Sequence, residues 1–276
     1  MRRAAFVLAV GLLLVSSSAA TGAPTRPTEY LALGDSLAFG FSPLVNPTNP
    51  DNYIGYPDTA AAALKLRLTN ASCPGETSSH LIDLSGSDNG CGTWRFSYGL
   101  PLHAAYSSAQ LAFADAFLQS HPKTHVVSID IGANDLWVLV DGCGGQANPS
   151  CIFGGLPLML ATLSANLDTI YGHIRNLDGY RHKLVALTVP SRNYADPAET
   201  AVVAQVNAVV ADRTLAWGGI VADGFGAFAS ASAAYGGDPC AAGLQIVKPD
   251  LSCDDHPSPA GRDLLAQAIV TALRPD

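Results

Sequence analysis

Short apolar runs alternate with longer segments of helical periodicity along most of this chain. Four of these runs, "EYLALGDS", "HVVSIDI", "KLVALTVP" and "GGIVAD", predict strands buried on both faces. The spacing of apolar positions predicts helices over about 57–68, 107–119, 158–176, 197–215 and 259–273. Buried strands joined by helices predict an α/β fold, a three-layer α/β/α domain around a parallel sheet.

The beginning of the chain has a different pattern. Arg2 and Arg3 precede the apolar run "AAFVLAVGLLLV", and the small residues "SSSAATGA" follow it. This is the three-part pattern of a secretory signal peptide, and the run is shorter than the ~20 apolar residues that span a bilayer. We therefore expect secretion, cleavage of residues 1–23 near Ala20 or Ala23, and no stable membrane span.

The rest of the chain, residues 28–276, contains no linker, low-complexity tract or repeat in its sequence. Its length alone would suit one α/β domain or two smaller ones. We predict a single domain, acting as a monomer.

Composition narrows the possible partners. Hydrophobic residues make up 48% of the chain and charged residues 14%, against about 25% charged in an average soluble protein. Such a chain can build a core, and its net charge of -8 offers no basic field for a polyanion. We therefore expect no nucleic-acid partner.

Six cysteines form an even set, which in an exported chain suggests disulfides. Fifteen pairings are possible, but the spacing forms three local couples: Cys73 with Cys91, Cys143 with Cys151, and Cys240 with Cys253. The sequence has no CxxC, HxH or HExxH pattern. Disulfides are therefore favoured over a metal site, and we expect no metal.

The segment "GDSLAFG" places Ser36 directly after the first predicted strand. Gly34 and Ala38, two residues to either side, suit a sharp strand-to-helix turn that exposes a serine nucleophile. The same residues also suit an ordinary turn in which a polar side chain caps a helix. This segment alone leaves both readings open.

Among the seven histidines, His256 has a distinctive setting, the carboxylate-rich turn "CDDHPSPAGRDLL" before the last predicted helix. Ser258 is placed to cap that helix and Pro259 to occupy its first turn. A histidine held there could be oriented by a neighbour and act as a general base. It could equally be a simple turn residue.

Two further segments could supply an oxyanion site, meaning donors aimed at the charge that develops on an attacked carbonyl. "GAND" presents the side-chain amide of Asn134 after a strand, and "CPGETS" presents Gly75, whose backbone a ligand can approach closely. Taken singly, each is an ordinary turn residue.

In this order, "GDSLAFG", "CPGETS", "GAND" and "DDHPSPAG" strongly resemble the conserved blocks of the SGNH (GDSL) hydrolase family, and they span residues 34–261. The resemblance implies a flavodoxin-like sheet of about five parallel strands with helices on both faces. It also implies a serine carboxylester hydrolase, an esterase or lipase, that uses no cofactor and acts on a small-molecule or lipid ester.

Carried over to this sequence, the family's roles fall on four residues. Ser36 would attack the ester carbonyl and form an acyl-enzyme, with His256 as the base. The backbone N–H groups of Ser36 and Gly75 and the side chain of Asn134 would form the oxyanion hole. Asp35 would brace the turn.

One position departs from the family pattern. The family places its acid three residues before the histidine, as D-x-x-H, but that position is Cys253 here. Asp254, Asp255 or a backbone carbonyl could orient His256 instead. We favour Asp254, because members of a triad are recognised by geometry and not by sequence position.

The substrate stays open at the level of the sequence. Free acyl esters are favoured, and Trp94, Trp137 and Trp217 are candidates for an acyl pocket. The alternatives are an O-deacetylase of polysaccharides or glycans, an acyltransferase, and a non-catalytic binding protein on the same scaffold.

Overall fold

A computed structural model describes residue 1 and residues 28–274, so the predicted signal peptide lies, apart from its first residue, outside the described part of the chain. Five strands form one parallel sheet in the order β2-β1-β3-β4-β5. The strands are β1 Glu29–Gly34, β2 Arg67–Asn70, β3 Val126–Asp130, β4 Lys183–Leu187 and β5 Ile220–Ala222. This is the flavodoxin-like order, which confirms the predicted fold.

Helices and a hairpin surround this sheet. Nine α-helices lie within residues 28–274: α1 Ser36–Phe39, α2 Tyr56–Leu64, α3 Ser78–Ile82, α4 Gln110–Ser120, α5 Ala133–Gly142, α6 Pro149–Gly172, α7 Pro197–Ala216, α8 Gly224–Ser232 and α9 Pro259–Leu273. The antiparallel strands β6 Gln245–Val247 and β7 Cys253–Pro257 form a small second sheet directly before α9.

Strand β1 shows how the three layers pack. Leu31 and Leu33 belong to a hydrophobic cluster on one face of the sheet, where α4, α6 and α7 pack. Tyr30 and Ala32 belong to a second cluster on the other face, with α2, α8 and α9. Successive side chains of a strand point to opposite faces, so a continuous apolar run is what this doubly covered sheet requires.

Strand β2, which the sequence did not predict, overlaps the end of a predicted helix. The helix expected over about 57–68 ends at Leu64, and Lys65 adopts a left-handed conformation with φ of 57°. The chain then enters β2, which pairs in parallel with β1 at the edge of the sheet. The alanine-rich pattern ran on without a glycine or proline to mark this end, and the prediction was wrong there.

The region after β3 also differs from the prediction. The helix predicted over about 158–176 begins earlier than expected, since α6 starts at Pro149, and α5 lies between it and β3. Gly155 and Pro157 usually break helices. Here a Cβ on Gly155 would lie 2.5 Å from Cδ1 of Leu139, so the glycine allows α6 to pack closely against α5.

The cysteines pair as the sequence spacing predicts. Disulfides join Cys73 to Cys91, Cys143 to Cys151, and Cys240 to Cys253. The second of them connects the end of α5 to the start of α6.

One helical run within the described residues, Pro149–Leu177, is long and apolar enough to cross a membrane by length and composition. Its inner face carries Leu163, Leu167 and Ile170, which are fully buried in the core. We therefore treat this run as a helix of the domain.

Candidate active site

Ser36 is the first residue of α1, immediately beyond the carboxyl end of β1. Asp35 caps this helix, since its Oδ1 accepts a hydrogen bond from the N–H of Leu37 at 2.9 Å. The N–H of Ser36 lies in the first helical turn, where backbone donors have no intrahelical acceptor. The serine therefore combines a partly exposed hydroxyl with a backbone donor beside it.

Gly34 is required for this turn. Its φ is +130°, which side chains of L-residues rarely permit, and a Cβ there would lie 2.3 Å from the carbonyl oxygen of Asp130. The missing side chain lets β1 and β3 lie close together where both strands end. The same edge carries Ser36 and, after β3, Asn134.

The amide of Asn134 is held at both ends. Its Nδ2 donates to Oδ2 of Asp35 at 3.0 Å, and its Oδ1 accepts from Nδ2 of Asn89 at 2.7 Å. A side-chain amide nitrogen carries two hydrogens, so one remains for a ligand. Asp35 and Asn89 thus fix the orientation of this amide, a role that the sequence did not reveal for Asn89 in its "SDNG" turn.

Asn89 also links Asn134 to Gly75. The backbone N–H of Asn89 donates to the carbonyl of Gly75 at 3.1 Å. Gly75 has φ of +82°, and a Cβ on it would lie 2.4 Å from the carbonyl oxygen of Asn89. Within residues 28–274, the cavity described below is lined by Asn89 but not by Gly75. The structure therefore brings Gly75 beside the site and puts Asn89 on its wall.

His256 lies on strand β7, not in the turn that the sequence suggested. Oδ1 of Asp254 lies 2.5 Å from Nδ1 of the ring and accepts the backbone N–H of His256 at 3.1 Å. Residues two apart on a strand share a face. Position 253, where the family pattern expected the acid, faces the other way, and Cys253 forms its disulfide there.

Asp255 makes a different contact. Its Oδ2 lies 3.5 Å from a guanidinium nitrogen of Arg192, which also pairs with Glu199 at 2.8 Å. The same guanidinium lies 4.6 Å from the ring centre of Trp137. Of the two candidate acids, the structure brings Asp254 and not Asp255 to the imidazole.

The ionisation of Asp254 suits a partner for a histidine. Burial on its own would raise the pKa of Asp254, but the hydrogen bond from His256 and the charge of its ring outweigh this effect. The net result is a pKa below its usual value. Asp254 is therefore ionised at neutral pH and available to hold the Nδ1 hydrogen of the ring.

Ser36, Asn134 and His256 open into one cavity of about 480 Å³, within the range of about 300–1,000 Å³ that is typical of ligand pockets. Its walls are mostly apolar. They include Leu37, Leu136, Trp137, Val140, Ile152, Phe153, Val189, Val202, Val203, Val206 and Phe228.

Of the three tryptophans proposed for an acyl pocket, Trp137 lines this cavity. Trp94 lies elsewhere, with its ring against those of Phe41 and Tyr98. Trp217 directly follows α7 and donates its ring N–H at 2.8 Å to Asp168, near the end of α6. One of the three candidate tryptophans therefore lines the cavity, and the other two do not.

A buried polar cluster lies directly beneath Ser36. The carboxyl groups of Asp35 and Asp130 are both buried and lie beside each other, and Oδ1 of Asp130 accepts the hydroxyl of Tyr56 at 2.9 Å. Burial, and then the charge of Asp35, raise the pKa of Asp130 well above its usual value. A protonated Asp130 can donate a hydrogen bond to Asp35 and leave that carboxylate free to hold Asn134.

We expect Asp130→Asn to be more thermally stable than the parent protein as the pH rises above about 4. A raised pKa means that the folded state retains a proton which the unfolded state releases, so folding becomes less favourable with rising pH. Asparagine does not titrate, so the variant does not lose stability in this way as the pH rises, and its amide can still donate a hydrogen bond to Asp35. Melting temperatures from pH 4 to 8 measure the difference, with the exposed Asp141→Asn as control. A difference that shrinks as the pH rises would contradict this assignment.

One group of side chains has the spacing of a metal site: ligand atoms of Cys73, Glu76 and Cys91 lie within 4.8 Å of one another. The two sulfurs are bonded to each other and offer no thiolate. The Glu76 carboxylate lies 2.5 Å from Nδ1 of His80 and accepts from Gln110 at 3.0 Å. These contacts assign the group to the support of the loop that carries Gly75.

The comparisons with solved structures agree with the fold. An extracellular lipase from Streptomyces rimosus is 21% identical, with a TM-score of 0.58, over 89% of this chain and 99% of the other. A phospholipase A1 from Streptomyces albidoflavus NA297 is 19% identical, with a TM-score of 0.59, over the same shares. An acetylxylan esterase from Geobacillus stearothermophilus is 18% identical, with a TM-score of 0.54, over 90% and 95%.

No curated protein sequence matches this chain. At the level of families, the profile of the GDSL-like lipase/acylhydrolase family matches residues 32–264, which include Ser36, Gly75, Asn134 and His256. This match covers most of the chain and all four sequence blocks. The protein therefore belongs to the GDSL-like lipase/acylhydrolase family.

Proposed function

We propose that this protein is a secreted serine hydrolase that cleaves carboxylic esters of apolar acyl groups. The observation that carries this proposal is the cavity: Ser36, Asn134 and His256 line it together, and the rest of its walls are mostly apolar. An ester substrate would place its carbonyl among the three polar residues and its acyl chain along the apolar walls.

In the proposed reaction, the Ser36 hydroxyl attacks the ester carbonyl and passes its proton to Nε2 of His256. Asp254 holds the hydrogen on Nδ1 and stabilises the imidazolium that forms. His256 then gives the proton to the departing alcohol, which leaves an acyl group on Ser36. A water molecule activated by His256 attacks this ester and releases the acid.

Three donors would hold the charge on the attacked oxygen: the backbone N–H groups of Ser36 and Gly75 and the side chain of Asn134. Asn134 has one Nδ2 hydrogen left over from its bond to Asp35. Its amide also costs little to orient during the reaction, because Asn89 and Asp35 already hold it. These contacts support the oxyanion assignment for Asn134 most directly.

Export rests on two independent features. The first 23 residues have the sequence pattern of a cleavable signal peptide. All six cysteines are paired in disulfides, which persist in oxidising compartments. An extracellular or periplasmic protein accounts for both, and mass spectrometry of the secreted chain would locate cleavage at Ala20 or Ala23.

A series of p-nitrophenyl esters from acetyl to decanoyl tests the proposed substrate class. Each methylene buried in an apolar cavity contributes at most about 0.8 kcal/mol. We therefore expect kcat/KM to rise by up to about fourfold per added methylene until the cavity is filled. A maximum at acetyl would reject the acyl preference and favour an O-deacetylase instead.

A matched pair of variants on α7 links this preference to the cavity. Val203 is buried and lines the cavity, whereas the adjacent Ala204 is exposed. Val203→Trp should lower the ratio of decanoyl to acetyl turnover, and Ala204→Trp should leave the ratio unchanged. Equal ratios in the two variants would mean that the acyl chain binds elsewhere.

A further inference from the structure

The outer face of α6, in its first half, is apolar and exposed to water. Phe153 is 49% exposed and Leu158 is 74% exposed. Pro157 and Ala161 are exposed on the same side. We call these four residues the outer apolar face. On the inner side of the helix, Leu163 and Leu167 pack in the core. The outer apolar face is exposed and has no partner among residues 28–274.

The segment that carries this surface holds no charged residue. Residues 142–167 contain no Asp, Glu, Lys, Arg or His, a run of 26 residues. A segment of this length with ordinary composition would hold about six charged residues. A helix on the surface of a soluble domain normally turns its charged side outward. Only 17% of the most apolar 18-residue window in this helical run is buried, so the lack of charge is not explained by burial.

The outer apolar face is continuous with the mouth of the cavity. Phe153 belongs to both, because it lines the cavity and is also half exposed, and its neighbour Ile152 lines the cavity as well. The disulfide between Cys143 and Cys151 ties the start of α6 to α5, whose Trp137 forms another wall. An acyl chain that leaves the cavity at Phe153 therefore passes onto a firmly anchored apolar surface.

We propose that the outer apolar face docks the enzyme on the surface of an uncharged or zwitterionic lipid aggregate, so that acyl chains pass from the lipid into the cavity. This inference rests on the proposed function and adds the physical state of the substrate. Apolar side chains that enter the boundary between headgroups and acyl chains bind in proportion to the apolar area they bury. A net charge of -8 and a segment without Lys or Arg give no attraction to anionic lipid.

Docking can be measured without catalysis. The Ser36→Ala protein is mixed with phosphatidylcholine vesicles, and the bound fraction is determined by flotation. We expect binding that persists at high salt and falls by at least about tenfold in Ser36→Ala/Leu158→Glu, because the Leu158 side chain then no longer enters the lipid. Ala161→Glu in the same background serves as a second variant in case the first folds poorly.

Leu215→Glu in the same background is the matched control, since Leu215 is 61% exposed at the end of α7 and lies outside the outer apolar face. Its binding should equal that of the parent. In the active protein, Leu158→Glu should reduce turnover of phosphatidylcholine vesicles but leave turnover of dissolved p-nitrophenyl butyrate within about twofold.

Three results would overturn the docking proposal. They are absence of parent binding to vesicles, equal binding by the Leu158→Glu and Leu215→Glu proteins, and a dimer that Leu158→Glu dissociates while vesicle binding is unchanged. The last result would assign the face to a second copy of this chain. Intact vesicle binding by a protein that hydrolyses no ester would instead reject the proposed function and leave the docking surface in place.

Discussion

The Ser36→Ala variant should lose at least about 10³-fold in kcat/KM toward p-nitrophenyl esters. Without the hydroxyl no acyl-enzyme forms, and the remaining groups can only hold the substrate and stabilise charge during attack by water. The substitution removes one oxygen from a partly exposed position at the start of α1, so the fold should be unaffected. Steady-state kinetics with circular dichroism would separate loss of chemistry from loss of structure.

Ser191→Ala is the matched control for this prediction. Ser191 also lines the cavity, but its hydroxyl contacts Glu199 at 3.2 Å and takes no part in the proposed chemistry. We expect that variant to retain activity within a few-fold. A fluorophosphonate probe should label the parent and Ser191→Ala but not Ser36→Ala. Labelled or fully active Ser36→Ala protein would rule out Ser36 as the nucleophile.

The Asp254→Asn variant should lose about 10²- to 10⁴-fold in kcat. An asparagine amide can donate to Nδ1 of His256 and so hold the ring with its hydrogen on the wrong nitrogen. It also cannot balance the positive charge that the ring acquires when it takes the Ser36 proton. The KM should change less than kcat, because Asp254 acts through His256 and does not contact the substrate.

Asp255→Asn provides the comparison within the same strand. It removes a carboxylate that faces Arg192 and should leave kcat within a few-fold of the parent. If both variants keep their activity, a backbone carbonyl orients His256 and the assignment of Asp254 is wrong. If Asp255→Asn alone is impaired, the neighbouring carboxylate is the acid.

Much of the framework could be predicted from the sequence because burial on both faces leaves a strong apolar signal. Strands β1, β3, β4 and β5 and helix α9 lie where the pattern placed them. Strand β2 gave no such signal, since it is a short edge strand whose first three residues are exposed or only partly buried. Its first two residues were assigned to the end of the alanine-rich helix predicted over about 57–68.

The residues around the catalytic candidates were harder to foresee. Ser36, Asn134 and His256 follow motif blocks that can be recognised locally, whereas Asn89 and Asp130 contact the site through the tertiary fold alone. Asp130 is unexpected in the apolar pattern of β3, because a carboxylate rarely occupies a position of a fully buried strand. The carboxyl group of Asp130 is tolerated in the buried strand because Asp35 and Tyr56, which are distant in sequence, lie beside it in the fold.

The extended shape of β7 has a consequence for how relatives of this protein are identified. On a strand, an acid and a base can meet only at an even offset, and the residue between them is turned toward the opposite side. Asp254 and His256 obey this parity, while Cys253 is left free to form a covalent link. A motif written as D-x-x-H therefore misses this chain, in which Asp254 and His256 have the spacing D-x-H.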